Sequence, residues 1–579
     1  MASRWRGWLP LLLLAGVALA AYSWHLTRNG WGNVYYAAVA ATGGHDLRAA
    51  FFGSLDPMSV VSTDKPPLGL WPMMLSVRLL GTHPVAVLLP QVLATVASVL
   101  VLGRAVGRVS GTRAGVVAAV LLAVSPVTFA LARYDDPDTM LLLTSVVAAY
   151  AVVRAAADPR RRWLVLLGAA LGAAFLTKWL AGLVIAPAVL WALWSPMTGR
   201  RLRAAATVGA SFALTGLWWV GVLAVLGPGA RPTADASNGS LVDLVLGSNG
   251  VSRLGGDGGG SVSGVPGVTR LLTAPFADQT AWFLPAALLA AVLLLLDRTL
   301  HPVQRAAVRL LGGWLAVAAV LFSAMGGAMH PYYTSYLAAP AAGLLGMGAA
   351  RVGHGWSRVR GAALLAVAGL TGAAVLAGTG RSLAWLALPV AVATLAGVLV
   401  LLVRGHRGVG VVAGALAVAA VLTGPAATDW VTAHVVVNGA DPRAGWRQAG
   451  TSFVPPAALA AFLRSHRSGE WAAAVPQASA AAELQLESGL PVLPLGGFTG
   501  SSAMPSLAQL RSFAATGRLR YVALLGRYLQ DPTGTPAALH GHAVTAMVDW
   551  ARTVGCPVRA GPVTVIDLAD HTCHAGARR

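Results

Sequence analysis

Residues 104–138 read RAVGRVSGTRAGVVAAVLLAVSPVTFALARYDDPD, and this stretch decides the fold. Arg104, Arg108 and Arg113 come first, an apolar run fills 114–132, and Arg133-Tyr134-Asp135-Asp136-Pro137-Asp138 closes it. A helix of about 20 apolar residues crosses a hydrocarbon core of about 30 Å. The basic end of such a helix stays in the cytoplasm, which puts the acidic end outside.

The pattern recurs along the chain. Apolar runs long enough to span fall at 8–24, 85–103, 114–132, 139–155, 163–177, 180–195, 204–226, 280–297, 306–323, 334–350, 361–378, 383–403 and 408–424, roughly thirteen helices. Every second connection is basic: Arg4/Arg6, Arg104/Arg108/Arg113, Arg154/Arg160/Arg161/Arg162, Arg200/Arg201/Arg203, Arg298/Arg305/Arg309, Arg351/Arg358/Arg360 and Arg404/Arg407. The N-terminus resembles a signal peptide, but Tyr22-Ser23-Trp24 and many later spans favour an uncleaved first helix. Composition agrees: of 579 residues 56% are hydrophobic and 11% charged, with mean hydropathy +0.67. No soluble domain buries that much apolar surface. The net charge of +21 lies in short clusters between apolar runs, which excludes a nucleic-acid face.

The expected fold class is therefore an all-α polytopic membrane protein with an extracytoplasmic α/β domain at its C-terminus. The membrane domain covers 1–424, with a first external loop at 25–83 and a Gly-rich external loop at 227–279. The external domain covers 425–579. In it, Tyr521 to Leu525 reads as a buried strand and Ser506 to Phe513 as a helix. The run Gly255 to Gly260 is a flexible connector, since no strand precedes it and no helix follows. Cys556 and Cys573, the two cysteines of the chain, read as one disulfide in an exported domain, with two free thiols as the alternative. The expected location is a bacterial plasma membrane, multi-pass, with the N-terminus cytoplasmic and the C-terminal domain outside.

Of the 42 basic residues, Lys65 and Lys178 are lysine. Both fall on the external face, beside other polar residues. A compact ammonium suits a phosphate or pyrophosphate group, with chance survival under an arginine bias as the alternative. Asp64 precedes Lys65-Pro66-Pro67, and the prolines fix its place near the interface. A carboxylate there can take a proton from an acceptor hydroxyl, unless it is only a salt-bridge partner. Asp135, Asp136 and Asp138 exceed what a helix N-cap requires, and can hold sugar hydroxyls or a divalent ion such as Mg or Mn, without clear ligand spacing. His330, Tyr332 and Tyr333 read as substrate-positioning residues or as an aromatic belt.

The ordered set Asn33-Val34-Tyr35-Tyr36, Asp64-Lys65-Pro66-Pro67-Leu68, Pro137-Asp138, Phe175-Leu176-Thr177-Lys178-Trp179 and His330-Pro331-Tyr332-Tyr333 resembles the bacterial mannosyltransferase-type branch of glycosyltransferase family 39. This is the YkcA/YkcB-like group, related to the lipid A aminoarabinose transferase and the protein O-mannosyltransferases. Leu246 to Gly250 with Arg253, Gln279 to Pro285, and Leu495 to Gly500 extend the resemblance over nearly the whole chain. It implies a GT-C fold, a polyprenyl-phosphate-sugar donor and an inverting transfer outside the cytoplasm. Two positions depart from the family. Asn33 stands where the superfamily usually has its acidic base, and an amide cannot take the proton. The base then falls to Asp64, with Asp56 or Asp138 behind it. Ser248 stands where the group tends to carry Tyr.

The expectation is a membrane glycosyltransferase that moves a hexose, mannose-type by the group's naming, onto an extracytoplasmic protein, glycolipid or cell-wall polymer. Lys65 and Lys178 meet the donor phosphate. Asn33, Tyr35, Tyr36, Arg133, Asp135, Asp136, His330, Tyr332 and Tyr333 position substrate. The alternatives are a glycolipid flippase and a non-catalytic assembly protein; no inverted repeat supports the flippase.

Overall fold

A computed structural model describes residues 8–574, apart from 228–229, 235–239, 256–262, 353–355, 381, 404–406, 438, 446–454, 499, 530–533 and 535. Arg4, Arg6, Arg404, Thr499 and the glycines at 256, 258, 259 and 260 lie outside the described residues. The chain divides into two compact units: 1–30, 88–219 and 252–449 form one, and 31–87, 220–251 and 450–579 the other.

All thirteen apolar runs are helical in whole or part. Among the described residues eight helices are long and apolar enough to cross a membrane: Pro84–Ser110, Asp138–Ala157, Arg161–Leu183, Arg201–Leu226, Pro302–Ala324, Arg358–Gly378, Ala384–Leu402 and Val411–His434. A ninth is added if Thr112–Ala123 and Pro126–Ala132 count as one span bent by 66°. The bend falls at Ser125, because a residue before proline is pushed out of the helical region. This is a multi-pass membrane protein, with fewer full-length spans than the thirteen expected.

The shortfall has local causes. The run at 180–195 forms only a turn, Trp179–Leu183, and the eight-residue helix Ala186–Leu193. Eight residues rise about 12 Å, far less than a bilayer core. Trp179 turns the backbone to φ +51. Gly182 then lies so near the preceding helix that a Cβ would sit 2.3 Å from the Ala174 carbonyl. Leu9–Ser23 and Leu284–Leu295 are likewise short.

The first unit buries its apolar surface in one continuous core, with Trp282 and Trp314 among its largest side chains. The second unit has a different construction. The connection at 25–83 is largely helical, with Val34–His45, Leu47–Phe52 and Trp71–Leu80. Asn33 caps the first by accepting from the Tyr35 amide (3.1 Å). Strand β1 (Val61–Ser62) pairs in parallel with β2 (Thr233–Ala234).

The tail folds as a mixed sheet of β3 (Ala473–Pro476), β4 (Val492–Leu495), β5 (Tyr521–Ala523), β6 (Cys556–Ala560) and β7 (Val563–Asp567) in the order β4-β3-β5-β7-β6. The first three strands are parallel and the last two form an antiparallel hairpin. Pro494 is tolerated because β4 is an edge. The expected strand at 521 is β5, and the expected helix is Leu507–Ala515, capped by a Ser506/Gln509 box. Helix Ala478–Ser488 packs on Val34–His45, where Gln485 Nε2 donates to Thr42 Oγ1 and the Leu55 carbonyl (both 3.0 Å). Cys556 and Cys573 are joined by a disulfide, Cα–Cα 5.7 Å.

Candidate active site

In the second unit, the loop after Leu47–Phe52 is organised around Asp56. Its buried carboxylate accepts from the amides of Met58 (3.1 Å), Val60 (2.9 Å) and Val61 (2.8 Å), and from Trp471 Nε1 (3.3 Å). Burial pushes its pKa up to about 6 despite those four donors. Both oxygens are committed to folding the loop, which takes Asp56 out of reach of an acceptor hydroxyl.

Ten residues on, Pro66 is extended and Pro67–Gly69 makes one turn before helix Trp71–Leu80. Lys65 is 7% exposed. Its Nζ donates to Asp64 Oδ2 (2.5 Å) and to Asn249 Oδ1 (2.7 Å). Asn249 returns a hydrogen bond from Nδ2 to the Asp64 carbonyl (3.3 Å) and one to that of Leu244 (3.0 Å). The Asp64 side chain keeps 17% of its surface exposed. Tyr35 and Tyr36 are buried, and the Tyr35 ring meets that of Phe498 edge-on at 5.4 Å.

In the first unit, residues 133–138 turn from helix Pro126–Ala132 into Asp138–Ala157. The Asp138 amide donates to Asp136 Oδ1 (3.0 Å). Lys178, at the end of Arg161–Lys178, donates to the Asp138 carboxylate. Its ammonium lies 3.9 Å from the ring centre of Tyr333 and 5.3 Å from that of Tyr332, a cation–π arrangement. His330 stacks on Tyr332 (5.3 Å), meets Tyr333 edge-on (5.1 Å), and pairs through Nδ1 with Asp441. Asp135 and Asp136 are fully buried; burial first, then the Asp138 carboxylate, push the Asp136 pKa well above the usual range.

Arg133 turns away from this group. Its Nη1 donates to the carbonyls of Tyr22 (2.7 Å) and Trp24 (2.5 Å), and its Nη2 to that of His25 (3.1 Å). It closes the C-terminal end of helix Leu9–Ser23, where unpaired carbonyls and the helix dipole both favour a cation. The first unit thus gathers Asp138, Lys178, Tyr332, Tyr333 and His330, and the second gathers Asp64 and Lys65. Sequence reasoning missed two partners. Asn249 lay inside a quoted motif that gave it no role, and Asp441 had no local signal. Among the described residues no group of three or more His, Cys, Asp or Glu is arranged to hold a metal ion, and Asp135, Asp136 and Asp138 do not form one.

Lys65 can exchange its carboxylate for a phosphate oxygen, and the released Asp64 carboxylate can then accept a proton. Residues 64–226 match the family model described as dolichyl-phosphate-mannose-protein mannosyltransferase. Residues 459–548 match "Putative mannosyltransferase YkcB-like, C-terminal". The structure superposes on ArnT from Cupriavidus metallidurans bound to undecaprenyl phosphate with TM-score 0.58 and 16% identity, over 97% of this chain and 98% of that one. This chain has the GT-C fold.

Archaeal oligosaccharyltransferase AglB from Archaeoglobus fulgidus, in complex with an inhibitory peptide and a dolichol-phosphate, shares the GT-C fold more distantly. Its TM-score is 0.52 and its identity 12%, over 96% of this chain and 73% of that one. In sequence, "Putative mannosyltransferase YycA" of Bacillus subtilis (strain 168) is 30% identical over 260 residues, 44% of this chain and 38% of the relative. "Putative mannosyltransferase YkcB" of the same organism is 28% identical over 262 residues, 45% and 36%. The matched regions span less than two fifths of either relative's length.

Proposed function

We propose that this chain is a membrane glycosyltransferase that moves a hexose, mannose-type, from a polyprenyl-phosphate donor to an extracytoplasmic acceptor in a bacterial plasma membrane. The arginine-rich helix ends face the cytoplasm, and the C-terminal sheet domain lies outside. The acceptor oxygen forms its bond to the anomeric carbon while the bond from that carbon to the phosphate oxygen breaks. The bonding pair leaves with the polyprenyl phosphate, and the acceptor proton passes to a carboxylate, Asp64. Lys65 and Lys178 offset the charge that grows on the phosphate. Asp138 holds Lys178, and Tyr332 and Tyr333 flank it.

The observation that carries this reading is the lysine–carboxylate pair at both family motifs, on a fold whose solved relative ArnT holds undecaprenyl phosphate. The test is transfer by the purified protein from synthetic polyprenyl-phosphate-mannose and -glucose into a bacterial membrane extract. Release of polyprenyl phosphate with label in the extract is expected. Movement of intact donor across vesicle bilayers without release would replace the transferase by a flippase.

A further inference from the structure

The segment after the last membrane helix is fastened at four places within the first unit. The Val437 amide donates to Asn29 Oδ1 (3.0 Å), and Tyr134 donates its hydroxyl to the Gly439 carbonyl. Gln279 accepts from the Ala444 amide (2.9 Å) and donates to its carbonyl (3.2 Å). The Gly445 amide donates to Thr432 Oγ1 (2.8 Å). An ordinary connection needs no such anchorage. What it delivers is Asp441, at His330 Nδ1.

An ionised carboxylate can only accept, so Asp441 obliges Nδ1 to carry its proton and fixes the ring plane. That leaves Nε2 for substrate. His330 shares Tyr332 and Tyr333 with Lys178, so the imidazole and the ammonium belong to one aromatic-lined cluster. Among the described residues, the charged and titratable groups that act on His330 are Tyr332 and Tyr333 on its own segment, Asp441 on the fastened one and Arg253 from the helix Ser252–Leu254.

We propose that Asp441 is a positioning residue that holds His330 as an imidazolium hydrogen-bond donor to the leaving phosphate beside Lys178. The inference rests on the transferase reading above. No proton need move: Nε2–H donates to a phosphate oxygen whose charge grows as the sugar bond breaks. Burial works against the charged ring, and Tyr333 and Asp441 outweigh it, raising the His330 pKa. Without the Asp441 carboxylate, burial and Arg253 pull it down.

The test is the pH profile of donor kcat/KM for wild type, Asp441→Asn and Asp441→Glu, with histidine ring NMR on the same proteins and His330→Gln to assign the signal. Activity that needs the imidazolium is lost as pH rises through the His330 pKa. Asp441→Asn should move that alkaline limb and the His330 titration down by about one pH unit, and Asp441→Glu should restore part of both. A purely structural role would lower activity at every pH and leave the limb in place. An unmoved limb with an unmoved His330 titration overturns the proposal. If wild type uses no donor, the transferase reading fails, and the NMR titration alone still decides whether Asp441 controls His330.

Discussion

Two lysine–aspartate pairs of the same chemistry lie in the two units and are built differently. Lys178 and Asp138 are both nearly sealed, with side-chain exposures of 9% and 2%, and two tyrosine rings and Asp136 surround them. Lys65 is as buried as its counterpart, but Asp64 keeps 17% of its side chain exposed, and Lys65 has a second acceptor in Asn249. The sealed pair cannot lose one member without stranding the other. The open pair has an alternative partner ready, so its carboxylate can leave the ammonium and accept a proton. The first is a fixed pair; the second holds the more open carboxylate that the proposed base requires.

The sharpest way to break the comparison is Lys178→Ala. It leaves Asp138 buried without its cation, and a loss of about 3–5 kcal/mol is expected. Thermal unfolding in detergent should show it, and the double variant Lys178→Met/Asp138→Leu should regain most of the loss. Equal unfolding of Lys178→Ala and Lys65→Ala would erase the distinction.

Asp56 supplies a third kind of carboxylate, bound wholly to loop amides. Its folded pKa of about 6 lies above the unfolded value of about 3.9, so the native state binds more protons between those limits. Stability should therefore fall as pH rises from about 4 to 6, by up to about 3 kcal/mol, and level off above. Asp56→Asn should flatten that slope in chemical denaturation. A slope that survives the substitution belongs to another group.

The smallest effect is expected at Asn249. Asn249→Ala removes the second acceptor of Lys65 and tightens its hold on Asp64, costing about 1 kcal/mol, or roughly fivefold in kcat/KM. The unfolding midpoint should not change. A wild-type rate would mean that Lys65 needs no second partner.

What the sequence disclosed follows the reach of its signals. The apolar runs with arginine ends, strand 521–523 and the capped helix at 507 are set by neighbouring residues, and they were legible. So was the pairing of Asp64 with Lys65, its neighbour. The helices at 34–45 and 47–52 were read as loop, because short apolar segments in a polar stretch carry little periodicity. Arg133 looked like a substrate ligand because it adjoins three acids, but sequence adjacency does not say where a long side chain points. Its acceptors are carbonyls more than a hundred residues away. Asn249 on Lys65 and Asp441 on His330 are long-range pairings of the same sort.

The most direct test of the account sets the two carboxylates side by side. Asp64→Ala and Asp138→Ala would be assayed for polyprenyl phosphate release from the donor that wild type uses, with and without added formate as a replacement base. The account predicts that Asp64→Ala folds normally, loses about 10²–10⁴ in rate and is partly restored by formate. Asp138→Ala should be unstable and unaffected by it. Wild-type release by Asp64→Ala, or formate rescue at Asp138 instead, would contradict the account and move the base to the sealed pair.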